Sequence, residues 1–273
     1  MRPQPKPRSR TGFPALVPAL ALGIALLLAA CAGPAVPPPA APPGGKPAWT
    51  AAIGLLETAG GRLACSAVLV APNLVATAAH CFYPEGSLAA LSPAAFTFRP
   101  NLGAVPDLPP AQGTVIRAIG GAVPEGHISD AEAPNDWALM EIAPPVTGVT
   151  PVPVAAYGVD RMLALVAGGA RLFAGGYGNG THDALHVPGA CRIVAPAELN
   201  MALDRRLIVT DCVFRIGDSG GPVALLDAAG HPQLVGVISG FGKHPTKTIP
   251  LGYAANAGSF AAYIQGPVIS LLN

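Results

Sequence analysis

The chain has 273 residues, 51% of them hydrophobic, 11% charged and 5% aromatic, and its 33 glycines and 32 prolines make up nearly a quarter of it. So many turn formers exclude a long-helix or coiled-coil protein, and the apolar share excludes a wholly disordered one. The net charge of +1 hides an asymmetry: Arg2, Lys6, Arg8 and Arg10 crowd the first ten positions, and the basic residues of the remainder are scattered, which excludes the electrostatic footprint of a nucleic-acid binder.

The basic tip leads into an uncharged apolar run from Phe13 to Ala30. A positive segment followed by an apolar one is the pattern of an export signal. A membrane-spanning helix is the competing reading, but 18 residues that include Pro14 and Pro18 are at the short limit for crossing a bilayer. The run ends in Leu28-Ala29-Ala30-Cys31, which resembles the lipobox of bacterial lipoproteins. The resemblance implies cleavage before Cys31 and acylation of that residue. More than one acyl chain anchors a protein stably without a membrane span. Cleavage at an Ala-x-Ala-like site, giving a secreted protein, is the competing outcome. Residues 32–46 are mostly proline, alanine and glycine and cannot form a core. They read as an extended spacer, on the order of 40 Å long at about 3 Å per residue. The chain thus divides into a signal (1–30), a lipidated Cys31 with its linker (31–46) and a folded domain (47–273).

From Trp49 onward, short apolar runs alternate with turn signals. Ala67–Ala71, Leu74–Ala76, Thr114–Ile119, Trp137–Ile142, Leu207–Thr210, Pro222–Leu226 and Leu234–Ser239 are too short for helices and rich in Val, Ile, Leu and Thr, so they read as strands. Only the stretch from Ser259 to Leu272 has helical apolar spacing. The pattern is that of an all-β barrel or sandwich. Cys65, Cys81, Cys191 and Cys212 remain once Cys31 is set aside, and in an exported domain they suggest two disulfides. Three pairings exist on paper, and spacing favours Cys65–Cys81 and Cys191–Cys212. Each such loop is worth roughly 3 kcal/mol. A zinc site would use the same residues, but no Cys-x-x-Cys spacing is present and no metal is expected.

Three segments carry chemistry: Thr77-Ala78-Ala79-His80-Cys81, Asn135-Asp136-Trp137-Ala138-Leu139 and Gly217-Asp218-Ser219-Gly220-Gly221-Pro222. A serine hydroxyl is a weak nucleophile at neutral pH. It needs a base within hydrogen-bond reach, and the base needs a third group to fix its tautomer. His80 can take the proton of Ser219 while Asp136 holds its other nitrogen. Asp107 and Asp130 lie in the same interval, but neither opens an apolar strand. The glycines around Ser219 let the N–H groups of Gly217 and Ser219 aim at one developing oxyanion.

The order His, Asp, Ser, with TAAHC and GDSGGP, resembles the chymotrypsin/trypsin-like serine proteases. Gly175-Gly176-Tyr177-Gly178 and Val235–Gly240 are similar to further segments of that family. The resemblance covers 225 residues from Trp49 and implies two perpendicular six-stranded Greek-key β-barrels with a C-terminal helix and the site in the cleft between them. It implies acyl transfer to Ser219 from a protein or peptide substrate, without a cofactor. It also implies that Ser239 supports Asp136, and that Val213, Ser239, Gly240 and Phe241 line the substrate pocket. Val213 stands where the trypsin-like branch has an acid, so small or apolar residues before the cut are expected.

One departure bears on function. Animal members form the oxyanion hole when a freed Ile-Val-Gly-Gly-like amine pairs with the acid before the serine. Nothing similar precedes Trp49. Asp218 therefore needs another partner, because a lone buried carboxylate is costly. Arg215 is the candidate in sequence. His182, Asp183 and His186 read as a solvated loop. The resulting expectation is an exported serine endopeptidase of a bacterial cell envelope, lipid-anchored at the outer membrane or periplasmic face. A catalytically silent, protease-like binding lipoprotein is the alternative.

Overall fold

The computed structural model describes residues 46–266 except 62, 85–86, 88, 103–107, 122–130, 179, 190, 200–202 and 245–248. The signal, Cys31, most of the linker, Asp107 and Asp130 lie outside the described residues. The compact unit that holds the described residues runs from Pro39 to Asn273.

Among the described residues eleven strands form two antiparallel bodies. In the first, β1 (Ile53–Thr58), β2 (Ala64–Ala71), β3 (Leu74–Thr77), β4 (Phe96–Pro100), β5 (Ala111–Ile119) and β6 (Ala138–Ala143) close into a barrel in the order β1-β2-β3-β6-β5-β4. Closure leaves no free sheet edge. Leu56, Val68, Phe82, Phe96, Phe98 and Met140 fill it and are all at most 1% exposed. The Phe82 and Phe96 rings meet at 4.8 Å.

The second body contains β7 (Arg171–Ala174), β8 (Leu207–Thr210), β9 (Pro222–Leu226), β10 (Pro232–Lys243) and β11 (Pro250–Asn256), in the order β7-β9-β10-β11-β8. Met162, Ile208, Val223, Val235, Ile238 and Ala254 form its core. Every strand expected from the apolar runs is present. A sixth strand is not seen here among the described residues; instead Val154 makes a single parallel bridge to Leu234. Pro151 and Pro153 both precede Val154, and each removes a ladder donor, so the pairing does not extend towards them. The fold is mostly β, as a chymotrypsin-like double barrel requires.

Two features differ from the sequence expectation. A helix, α1 (Val159–Ala167), precedes β7 where none was expected, and it buries Met162. The expected C-terminal helix takes 3-10 turns at Ala257–Ser259 and Ala261–Tyr263 over its described part, and residues 267–272 lie outside the described residues. Asn256 starts these turns by accepting from the Gly258 N–H (2.7 Å), and Phe260 packs beneath Trp137 with ring centres 5.7 Å apart.

Candidate active site

The register of the first barrel brings His80 to Asp136. β3 pairs with β6 so that Thr77 lies opposite Ala138. The chain leaves Thr77 into a 3-10 turn, Ala79–Phe82, that carries His80. It enters β6 from another 3-10 turn, Ala133–Asn135, followed at once by Asp136. The two side chains therefore emerge from neighbouring strand ends.

Asp136 is 0% exposed, and its carboxylate is the acceptor for three donors. The His80 backbone N–H donates to Oδ1 (2.8 Å), His80 Nδ1 meets Oδ2 (2.8 Å), and the Ser239 hydroxyl donates to Oδ2 (2.6 Å). A carboxylate only accepts, so Nδ1 carries the proton and Nε2 keeps its lone pair. Burial by itself would lower the His80 pKa, but the Asp136 charge and hydrogen bond outweigh it, and the pKa stands above the ordinary 6.5. Ser239 is buried on β10, so the second body completes the acid's environment.

Ser219 is half-buried in the turn before β9. Its carbonyl accepts from the Ser66 N–H on β2 (2.7 Å). The next residue, Gly220, has φ +79°, and a Cβ there would lie 2.1 Å from Thr77 Oγ1 and 2.8 Å from Ala78 N. The Ser219 turn is thus pressed against the segment that leads into His80. No hydrogen bond joins Ser219 Oγ to His80 among the described residues, which is common before substrate aligns the pair. Gly217 has φ +98°, the left-handed conformation that glycine adopts freely. Neither the Gly217 nor the Ser219 N–H donates to a protein acceptor among the described residues, as an oxyanion site requires.

Ser66, which carries no sequence signal, is a hub of the site. Its hydroxyl donates to the Gly217 carbonyl (2.7 Å) and accepts from the Tyr177 N–H (2.7 Å), and its carbonyl accepts from Thr77 Oγ1 (2.7 Å).

Both expected disulfides are present, Cys65–Cys81 beside His80 and Cys191–Cys212 ahead of the Ser219 turn. Cys65, Cys81 and His80 offer ligand atoms within 4.8 Å of one another, but the sulfurs are bonded to each other and cannot hold an ion as thiolates. Val213 and Phe241 are 54% and 55% exposed, as pocket-mouth residues would be. Ser239 spends its hydroxyl on Asp136, and Gly240 follows it on β10. Phe214, next to Val213, turns into the core of the second body.

Two expectations about Asp218 are corrected. Arg215 reaches it through its backbone N–H (2.9 Å), and no ion pair from the Arg215 guanidinium is found among the described residues. His186 is not in a solvated loop: its side chain is 12% exposed and its Nδ1 lies 2.8 Å from Asp218 Oδ2. Sequence proximity favoured Arg215, but a bridge between Gly176 and His186 folds the distant residue back onto the carboxylate.

Residues 40–264 match the model of the family described as Trypsin. No curated protein matches the chain.

Proposed function

The chain belongs to the trypsin family, and we propose that it is an active serine endopeptidase. The observation that carries this reading is the buried Asp136 carboxylate, which takes Nδ1 of His80 and leaves Nε2 as the base for Ser219. In the first step His80 Nε2 accepts the Ser219 proton while Ser219 Oγ bonds to the scissile carbonyl carbon. The carbonyl oxygen becomes an oxyanion that receives the Gly217 and Ser219 N–H groups. The imidazolium, steadied by Asp136, then gives its proton to the leaving amine, and the C–N bond breaks. Water repeats the sequence on the acyl-enzyme, releasing the acid and restoring Ser219. Each oxyanion donor is worth roughly 10²–10³ in rate.

A folded domain with two disulfides belongs to an oxidising, extracytoplasmic compartment. We assign residues 1–30 to the export signal, Cys31 to a lipid anchor, 31–46 to the linker and 47–273 to the protease domain, with protein or peptide substrates. Exposed apolar groups at Val213 and Phe241 support a preference for small or apolar residues before the cut.

The test is a fluorophosphonate probe on the oxidised protein, beside Ser219→Ala. Covalent labelling of the wild type alone is the expected result. A folded wild type that does not label would refute the reading and turn it to a catalytically silent binding lipoprotein.

A further inference from the structure

The turn that presents the oxyanion donors hangs on one carboxylate. Asp218 is 0% exposed and lies between Gly217 and Ser219. Its Oδ1 accepts from the Gly178 N–H (2.9 Å) and its Oδ2 from the Arg215 N–H (2.9 Å). Gly178 has no room for a side chain, since a Cβ there would lie 2.5 Å from Oδ1. Two backbone donors leave a fully buried carboxylate short of hydrogen bonds, and a third donor is needed to hold it in place.

His186 supplies that donor. Its Nδ1 meets Oδ2 at 2.8 Å, and because a carboxylate only accepts, the proton sits on Nδ1. The ring is fixed from its own backbone: Gly176 N–H donates to the His186 carbonyl (3.0 Å), and His186 N–H returns to the Gly176 carbonyl (2.6 Å). Between these ends the chain loops over the nucleophile turn, where a Cβ on Gly217 would lie 2.6 Å from His182 Cε1. His182 Nδ1 is held by the Tyr177 carbonyl (2.5 Å). The hairpin therefore clasps Asp218 and Gly217 together.

From this we infer that His186 is the positioning residue of the oxyanion turn, an internal donor that does the work a freed N-terminal amine does in animal members of the family. It touches neither substrate nor Ser219. It acts through Asp218, whose anchored carboxylate keeps Gly217 at its positive φ and leaves the Gly217 and Ser219 amides open to substrate. Competence then needs no new terminus, and folding alone completes the site. The inference rests on the serine-protease reading above.

The experiment measures the second-order rate of fluorophosphonate labelling for oxidised wild type, His186→Ala, His186→Asn and Ser219→Ala, with a urea midpoint for each. Wild type labels and Ser219→Ala does not; failure of that control refutes the protease reading and this inference with it. His186→Ala, still folded, labels roughly 10²-fold more slowly, the order of one lost oxyanion donor. Added imidazole restores part of its rate, which a purely structural defect would not allow. His186→Asn places an amide N–H near the position of Nδ1 and recovers at least tenfold over His186→Ala. If His186→Ala does not fold, His186→Asn decides by itself: a folded Asn variant that labels within roughly tenfold of wild type supports the inference, and one as slow as Ser219→Ala overturns it. Wild-type labelling by folded His186→Ala overturns the inference and leaves the protease reading intact. So does a slow His186→Ala that neither imidazole nor Asn improves.

Discussion

Replacing Asp136 by Asn tests the hydrogen-bond arithmetic of the site. The wild-type carboxylate serves three donors: the His80 N–H, His80 Nδ1–H and the Ser239 hydroxyl. An amide offers one oxygen and one NH₂. With the oxygen towards Ser239 and Nδ1, the NH₂ would face the His80 backbone N–H, two donors against each other, at a penalty of about 1–3 kcal/mol. With the oxygen towards the backbone N–H, the NH₂ donates to a deprotonated Nδ1 and to the Ser239 oxygen, and the Ser239 hydroxyl proton alone must turn to a new acceptor. The second arrangement wins, and it moves the histidine proton to Nε2, where it blocks the base. The expected loss in labelling rate is roughly 10⁴-fold, about 5.5 kcal/mol of barrier. Stability falls by about 1–2 kcal/mol, because one buried donor, the Ser239 hydroxyl, loses its acceptor. The pH dependence changes sign. In wild type the raised His80 pKa gives a stabilisation that is full below pH 6.5 and fades as pH rises through the folded value, while activity appears over that same rise. In the variant burial acts without the opposing charge, and the His80 pKa drops below 6.5. Labelling rates across pH, with nitrogen NMR of the histidine tautomer, make the measurement. An Asn variant that labels within tenfold of wild type, or that keeps its proton on Nδ1, would refute this reasoning.

Ser239→Ala removes a 2.6 Å buried bond to the Asp136 carboxylate, so labelling should fall about tenfold and its acid limb move to higher pH, as the less satisfied carboxylate draws more on His80; an unchanged pH–rate profile would count against it. Gly220→Ala puts a Cβ 2.2 Å from the Ser66 carbonyl at φ +79°, so urea unfolding should show a loss above about 3 kcal/mol, and an unshifted midpoint would contradict the packing described. Cys31→Ser should abolish metabolic labelling with a palmitate analogue, and a variant that still takes up label would refute Cys31 as the lipid site.

Residue identity and order made the His80–Asp136 contact legible, because an acid opening an apolar strand beside a histidine at a strand end suits few arrangements other than the one proposed for Ser219. The cysteine pairs were legible for a similar reason: short loops close cheaply. α1 was visible in principle, since Val159, Met162, Leu163 and Val166 follow helical spacing, but nine residues among strands gave a weak signal. That pairing at Val154 stops at a single bridge among the described residues has a visible cause in Pro151 and Pro153. What the sequence could not show were contacts made across long separations. His186 reaches Asp218 across 32 positions, through a hairpin that no local pattern announces. Ser66 looked like an ordinary small residue in an apolar strand, and its role depends on Gly217, 151 positions away.

The Ser66 backbone has a consequence for how the molecule opens. Ser66 belongs to the first barrel, yet its amide proton is bonded to the carbonyl of Ser219, in the turn that enters the second body. Loosening either body, or lifting the turn, releases that one proton to solvent. Its exchange with deuterium therefore reports the least costly fluctuation that dismantles the site, and sets an upper bound on how stably the site is held. Either body expressed by itself would lack half of the contact and could not assemble the Ser219 turn.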